Sequence, residues 1–350
     1  MKPEEIKNRR GDVELKLISV AIPTYNRSAF LDLCLAQISK QMSGNEQYLE
    51  VIVSDNASSD NTAEIVQKYI SAGFPISYVK NSENIGADNN ITQAFQLARA
   101  KYVLVLADDD VLVDDALSRI VSLLKTGDYG VVHLNSYPYR RDFAAETPKR
   151  NSKISIVYDD RKRFVKKVNY FFTFLSGNIV NKTLVNKDLA IEQFNNTNMI
   201  QLSWTFSALF NAPKNAYMEQ WTIAAKSDNT GGYKICKVFG VNLNKVFDIF
   251  AAQGVDKAYF RIINRRLLFS FFPNYIRTLR KNPGNYHQED YFATLYPVLG
   301  GYVNFWLFSV PAMVLPLPMV RFHMFIIREL SKTSKRFGRY RDAMFEKVLS

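Results

Sequence analysis

Short β-branched runs, each followed at strand–helix–strand spacing by an amphipathic stretch, fill the first 125 residues and leave few folds open to the chain. Leu17 to Ile22 is a nearly continuous apolar run closed by Pro23, the pattern of a strand covered on both faces. Ser28 then reads as the N-cap of a helix whose apolar stripe is Phe30, Leu31, Leu33, Cys34, Leu35 and Ile38. Val51 to Val53 forms a second strand. Asp60 caps a second helix through Ala63, Ile65, Val66 and Tyr69, and Ile76 to Val79 makes a third strand. A third helix carries Ile91, Ala94, Phe95, Leu97 and Ala98, and the buried strand Tyr102 to Leu106 runs directly into Asp108, Asp109 and Asp110. Such alternation predicts an α/β fold with a mostly parallel, Rossmann-like sheet flanked by helices. Its ligand crevice lies at the carboxyl ends of the strands.

The residues that gather in that crevice are acids and amides. Pro23, Thr24, Tyr25, Asn26 and Arg27 follow the first strand, and Asp55 and Asn56 the second. Asn84, Gly86, Asp88, Asn89 and Asn90 open the third helix. No glycine-rich dinucleotide fingerprint and no phosphate-loop lysine motif occurs. Three adjacent carboxylates repel one another and raise each other's pKa unless a hard cation sits among them. A divalent metal with a diphosphate as its further ligand resolves that conflict; a solvated acidic turn ahead of the helix at Asp114, Asp115 and Ala116 is the alternative.

Four segments in order carry a resemblance: Val20 to Arg27 (VAIPTYNR), Val53 to Thr62 (VSDNASSDNT), Asn84-Ile85-Gly86 and Ala107-Asp108-Asp109-Asp110. Together they resemble the donor-binding half of glycosyltransferase family 2, which has the GT-A fold. The resemblance implies a nucleotide-diphosphate-sugar donor, a divalent metal (Mn or Mg) and transfer with inversion. By position, Pro23, Thr24, Tyr25, Asn26 and Arg27 would shape the nucleotide pocket. Asp55 with Asn56 would meet the base, and Asn84, Gly86 and Asn89 the ribose and sugar. The family commonly writes Asp-x-Asp-Asp where this chain begins with Ala107. That register makes Asp109 the metal residue, Asp110 its support and Asp108 a neighbour of the ribose or diphosphate; reading Asp108-x-Asp110 as the metal motif is the alternative.

The resemblance marks no base. Where the family often carries a carboxylate pair, Thr197 to Trp204 carries none. Asp228, Glu219 and Glu192 are the nearest acids, with Asp228 the candidate. Lys226, which opens a polar loop ending in Gly231-Gly232, is the candidate for closing over the diphosphate. Phe174 to Val180 resembles the acceptor-side segment of O-antigen and surface-polysaccharide members of the family.

Charge divides the chain. Residues 1 to 128 hold 13 Lys+Arg against 18 Asp+Glu, a net of −5, so the remainder carries +17 of the overall +12. From Tyr291 to Val320 no residue is charged, yet prolines limit its longest proline-free piece to Val298–Val310, too short for a span of about 20 residues. Basic amphipathic stretches flank it: Arg261, Arg265 and Arg266 before, Arg321, Arg328, Lys332, Lys335, Arg336, Arg339 and Arg341 after. Cations beside an apolar wedge fit an anionic membrane surface and a polyprenyl-pyrophosphate-linked glycan acceptor. Nucleic acid is not an expected partner, because an acidic crevice repels phosphate and no binding module appears. Residues 1–16 lack the apolar run of a signal peptide, and Cys34 and Cys236 form no paired spacing, so a cytoplasmic, peripheral or monotopic protein is expected. The expected organisation is an N-terminal extension (1–16), a GT-A domain (17–240, with its donor half at 17–125 and acceptor half at 126–240) and a helical membrane-associating region (241–350). The competing expectation is a non-catalytic basic scaffold on a GT-A-like domain.

Overall fold

A computed structural model describes residues 16–149, 152, 154–227, 232–281, 287–323, 325–327 and 329. Strand β1 (Ile18–Thr24) leads to α1 (Ser28–Lys40), β2 (Leu49–Asp55) to α2 (Thr62–Ser71), and β3 (Ile76–Lys80) to α3 (Ala87–Leu97). Then β4 (Tyr102–Val105) reaches the aspartates. The sheet-forming part is completed by β5 (Val111–Leu112), α4 (Ala116–Leu124), β6 (Val131–Tyr139), β7 (Ser155–Tyr158), α5 (Arg161–Val168), β8 (Asn178–Asn181), α6 (Gln201–Asn211) and β9 (Asn215–Lys226). Helices α7 (Leu243–Ala252), α8 (Lys257–Arg266), α9 (Phe272–Lys281), α10 (Tyr291–Leu299) and α11 (Val310–Val314) follow.

The strands lie in the order β3-β2-β1-β4-β8-β6-β9-β5, with β7 also paired to β9. Strands β1 to β4 are parallel, as the alternation predicts. Strand β8 enters antiparallel between β4 and β6, and β6 runs parallel to β9. The two-sided burial of the parallel strands follows from side chains alternating across a pleat. Val20, Ile22, Val51, Val53, Tyr102 and Leu104 pack toward α1, α2 and α4; Ala21, Ile52, Val103 and Val105 face α3 and α6. On that second face Phe95 stacks on Trp204 at 4.2 Å between ring centroids.

Helix starts differ slightly from expectation. Ser28 is the first helical residue rather than the cap, because Asp60 takes the capping role from a neighbouring loop. Its Oδ2 accepts from Ser28 N–H at 2.9 Å and its Oδ1 from Thr62 N–H at 3.1 Å, so one carboxylate serves the starts of α1 and α2.

The C-terminal helices share the core of the sheet's second face. Phe206 of α6 packs against Phe247, Phe250 and Phe260, and Phe247 stacks on Phe260 at 4.6 Å. Part of the uncharged stretch joins them: Leu295, Leu299, Phe305, Ala312 and Val320 are buried in the same cluster. Among the described residues no helix is long and apolar enough to cross a membrane.

Gly130 lies where β6, β8 and α6 converge, and a Cβ there would stand 2.4 Å from the Ala208 carbonyl oxygen and 2.4 Å from Ala212 Cβ. Backbone must shift to admit it. Gly130→Ala is therefore expected to cost about 2 kcal/mol, read as a lower urea midpoint at unchanged secondary structure.

Candidate active site

The crevice is built by four strand ends. Thr24 ends β1, and its Oγ1 donates to Asp108 Oδ2 at 2.7 Å. Asn26 adopts a left-handed φ of 52°, which an asparagine tolerates, and its Oδ1 accepts from Ser59 N–H at 2.8 Å. The two loops that follow β1 and β2 are thereby locked together. Ala57 in the second loop is also left-handed at φ 65°, a conformation that costs a residue with a Cβ about 1 kcal/mol or more. It is held by Asp55, whose Oδ1 accepts from Ser58 N–H at 2.8 Å.

Asp55 is fully buried and its other oxygen accepts from Tyr78 Oη at 2.7 Å. Both oxygens of this carboxylate are thus engaged within the protein, and Tyr78 is a partner that sequence reading did not include. An amide network spans the neighbouring loops after β2 and β3. Asn56 Nδ2 donates to Asn84 Oδ1 at 2.8 Å while Asn56 Oδ1 accepts from Ile85 N–H at 2.9 Å. Asn84 Oδ1 also takes Gly86 N–H, Gly86 sits at φ 87°, and Asn89 caps back onto the Ile85 carbonyl at 2.8 Å. Asn90, one of the amides expected in the crevice, is buried between β1 and β2, donating to the Ser54 carbonyl at 3.0 Å. Tyr25 is exposed over this surface, and Pro23 is partly covered.

The three aspartates are all buried. Arg27 Nη1 lies 3.1 Å from Asp108 Oδ1 and 3.1 Å from Asp109 Oδ2. Asp110 is committed elsewhere: Ser176 Oγ donates to one oxygen at 2.6 Å and Lys226 N–H to the other at 2.9 Å. Ser176 Oγ in turn accepts from Ala107 N–H at 3.0 Å, so this hydroxyl closes the motif onto the segment before β8. Tyr139 Oη donates to the Asp109 carbonyl from β6.

Burial is the first cause of the acids' shifts. It drives Asp110 up to about 7, with the charge of Asp109 adding to it and the bonds from Ser176 and Lys226 opposing. Asp108 rises to about 6, burial again leading and Arg27 opposing. Asp109 is raised by burial and pulled back by Arg27. For Arg27, burial works against the charge, but Asp108 and Asp109 outweigh it and hold the guanidinium above its ordinary value.

Other expected residues fall differently. The Lys226 ammonium bonds to the Arg140 carbonyl and stands 5.4 Å over the Tyr139 ring; its backbone N–H meets Asp110, and its charge helps to pull Asp109 back down. Glu219 pairs with Lys167 at 2.6 Å and with Ser152, on a part of β9 where the register with β6 slips. Glu192 is exposed in a short 3₁₀ turn. Asp228 lies outside the described residues, as do residues 1–15, Arg328 and the basic residues from Lys332 onward. His133 is buried and bonded to Asn178, with burial lowering its pKa to about 4, so it is neutral and structural.

Comparison with known proteins gives the same picture. Residues 19–189 match the family described as Glycosyl transferase family 2. The abequosyltransferase RfbV of Salmonella typhimurium is 38% identical over 109 residues, 31% of this chain and 32% of that protein. A Campylobacter jejuni protein named GalNAc(5)-diNAcBac-PP-undecaprenol beta-1,3-glucosyltransferase is 33% identical over 118 residues, 33% of this chain and 36% of that one. The chain thus aligns with only about a third of the length of these curated relatives. Staphylococcus aureus TarS 1-349 superposes with a TM-score of 0.56 at 18% identity, covering 92% of each chain, which establishes the GT-A fold.

Because the raised values of Asp108 and Asp110 exceed those of an unfolded chain, the folded protein binds more protons and loses stability as pH rises from about 4 through about 7. Asp110→Asn imitates the protonated form. Its thermal midpoint, measured without divalent metal, is expected to fall less between pH 5 and pH 8 than that of the wild type.

Proposed function

We propose that this chain, whose residues 19–189 form a glycosyltransferase family 2 domain, moves a sugar from a nucleotide-diphosphate donor to a lipid-linked glycan acceptor at the cytoplasmic face of a membrane. The observation that carries this reading is the convergence of the buried Asp108–Asp110 motif with the amide-lined Asn84–Asn89 loop at the carboxyl ends of β1, β2 and β4. The names of the curated relatives, one of them an enzyme for an undecaprenol-linked glycan, support the substrate classes.

The residues fit a divalent cation of the manganese or magnesium kind. Its donors are hard oxygens, such ions take one or two carboxylates and complete their shell with phosphate oxygens, and Arg27 already places positive charge between two of the acids. Asp109 would hold it, with Asp108 beside it; Asp110 acts from behind by fixing the motif to Ser176 and β9. When bound, the ion supplies Lewis-acid neutralisation of the departing diphosphate. The protein's own contributions are positioning and proton removal. Asn84, Gly86 and Asn89 shape the wall facing ribose and sugar, and Asp55 with Tyr78 closes the end that receives the base.

A single inverting displacement needs one base opposite the leaving group. We assign it to Asp228. It follows Lys226, whose N–H is on Asp110, by two positions in the sequence and lies outside the described residues. Calorimetric titration of uridine, cytidine, guanosine and thymidine diphosphates is expected to find one that binds only with manganese and is lost, by a factor of about a hundred, in Asp109→Ala. Absence of binding by well-folded wild type in every condition would leave the scaffold reading instead.

Membrane docking is the second part of the reading. On the outer side of α10, α11 and the turns around them, Val303 (69% exposed), Trp306 (48%) and Leu307 (55%) face outward within the uncharged stretch 291–320, and Phe322 (68%) is exposed just beyond it, after Arg321. Phe292, Tyr296 and Trp306 form one ring cluster on this face. Aromatic rings at an apolar face suit the bilayer interface, and the basic residues beyond 320 suit an anionic leaflet. Removing the whole segment would also remove the core side chains Leu295, Leu299 and Phe305, so surface substitutions test the point better. Trp306→Glu with Leu307→Glu is expected to lower sedimentation with phosphatidylglycerol vesicles at least tenfold while nucleotide binding stays unchanged, each lost burial being worth about 1.5–3 kcal/mol.

A further inference from the structure

Arg27 occupies a position that the donor reading does not explain. One of its nitrogens sits equidistant, at 3.1 Å, from carboxylate oxygens of both Asp108 and Asp109. These are the two acids of the motif whose oxygens are not consumed by Ser176 and the β9 backbone. A cation arriving at Asp109 therefore meets a charge of its own sign, and the two positive groups repel at short range. The acids are nearly buried while the Arg27 side chain is 38% exposed, so the guanidinium reaches toward solvent further than the carboxylates do. Its backbone is anchored, since Phe30 N–H and Leu31 N–H both donate to the Arg27 carbonyl at 3.0 Å, which leaves side-chain rotation as the available movement.

We propose that Arg27 is an exchangeable counter-ion: it pairs Asp108 and Asp109 before the divalent cation is present, yields Asp109 to that cation, and turns its guanidinium to the donor diphosphate. The inference rests on the metal and donor reading of the same site. Its chemistry follows from the guanidinium's shape, a planar fork that matches phosphate oxygens in pairs and is always charged. Arg27 is thus a positioning residue with opposite effects on two ligands. It weakens metal binding to the empty site and strengthens diphosphate binding to the loaded one.

The test measures both on the full chain. Manganese affinity is read from the paramagnetic resonance signal of free Mn²⁺, and affinity for the nucleoside diphosphate that the wild type selects is read by calorimetry at saturating manganese. In Arg27→Ala, manganese alone is expected to bind about tenfold tighter and the nucleoside diphosphate about tenfold weaker, the scale of one hydrogen-bonded charge pair. Arg27→Lys keeps the charge without the fork, so its manganese affinity stays near wild type while diphosphate binding falls. A residue that only props up the site would weaken both ligands on removal, and that result, or no change in manganese affinity, overturns the proposal. Should Arg27→Ala fail to fold by circular dichroism, Arg27→Gln carries the same comparison. A wild type that takes up no manganese refutes the metal reading itself, and an Arg27 variant indistinguishable from a manganese-binding wild type refutes this inference alone.

Discussion

Three consecutive carboxylates at the end of a buried strand are electrostatically expensive, and much of the architecture can be understood as the answer to that cost. Each aspartate is relieved by a different part of the chain: Asp108 by Thr24 and Arg27 after β1, Asp109 by Arg27, and Asp110 by Ser176 before β8 and the Lys226 backbone at the end of β9. These partners lie up to 116 residues away from the motif in sequence. The acidic motif consequently ties the parallel strands to the mixed part of the sheet. Relief is incomplete, since burial still holds Asp108 and Asp110 well above the ordinary carboxylate range. That residual demand for positive charge is what the proposed cation would meet.

The parallel half was legible because its information is local. Runs such as VAI and YVLV are apolar on successive residues, and only a strand buried on both faces uses such a pattern at that length. The polar clusters behind them then had to fall at one edge of one sheet. The partners of those clusters were not legible, because hydrogen bonding across 60 to 120 residues leaves no periodicity. Ser176 illustrates this: within Phe174 to Val180 it reads as an ordinary small polar residue, yet it bonds both the Ala107 N–H and the Asp110 carboxylate. Tyr78 is similar, since an alternating strand offers no sign that its hydroxyl ends on Asp55. Lys226 stands out in the sequence for its charge, which acts on Asp109, but nothing local shows that its backbone N–H also bonds Asp110.

The uncharged stretch shows a different limit. Composition says that Tyr291 to Val320 avoids water, but it does not say which side chains meet protein and which face outward. Prolines and short helical turns break the helical period there, so no single amphipathic wheel describes it. In the fold the stretch divides, with Leu295, Leu299, Phe305, Ala312 and Val320 turned inward and Val303, Trp306, Leu307 and Val314 outward. Gly240 permits the inward half, because a Cβ there would lie 2.4 Å from Leu295 Cδ2.

That inward half has a mechanical consequence. The hydrophobic cluster that holds Phe305 and Val320 is continuous with Val103 and Val105 of β4, the strand that carries the acidic motif, and passes through Phe206 and Trp204 of α6. Close-packed cores transmit displacement and resist independent motion of their parts. Among the described residues, the outward apolar face and the acidic crevice are therefore joined through one continuous core. An enzyme that takes its acceptor from a lipid carrier must hold a headgroup at a set height above the bilayer. On the proposed reading, the continuous core between the outward apolar face and Asp109 would set that height, whereas a docking helix on a flexible tether would keep an enzyme near the membrane without orienting its site.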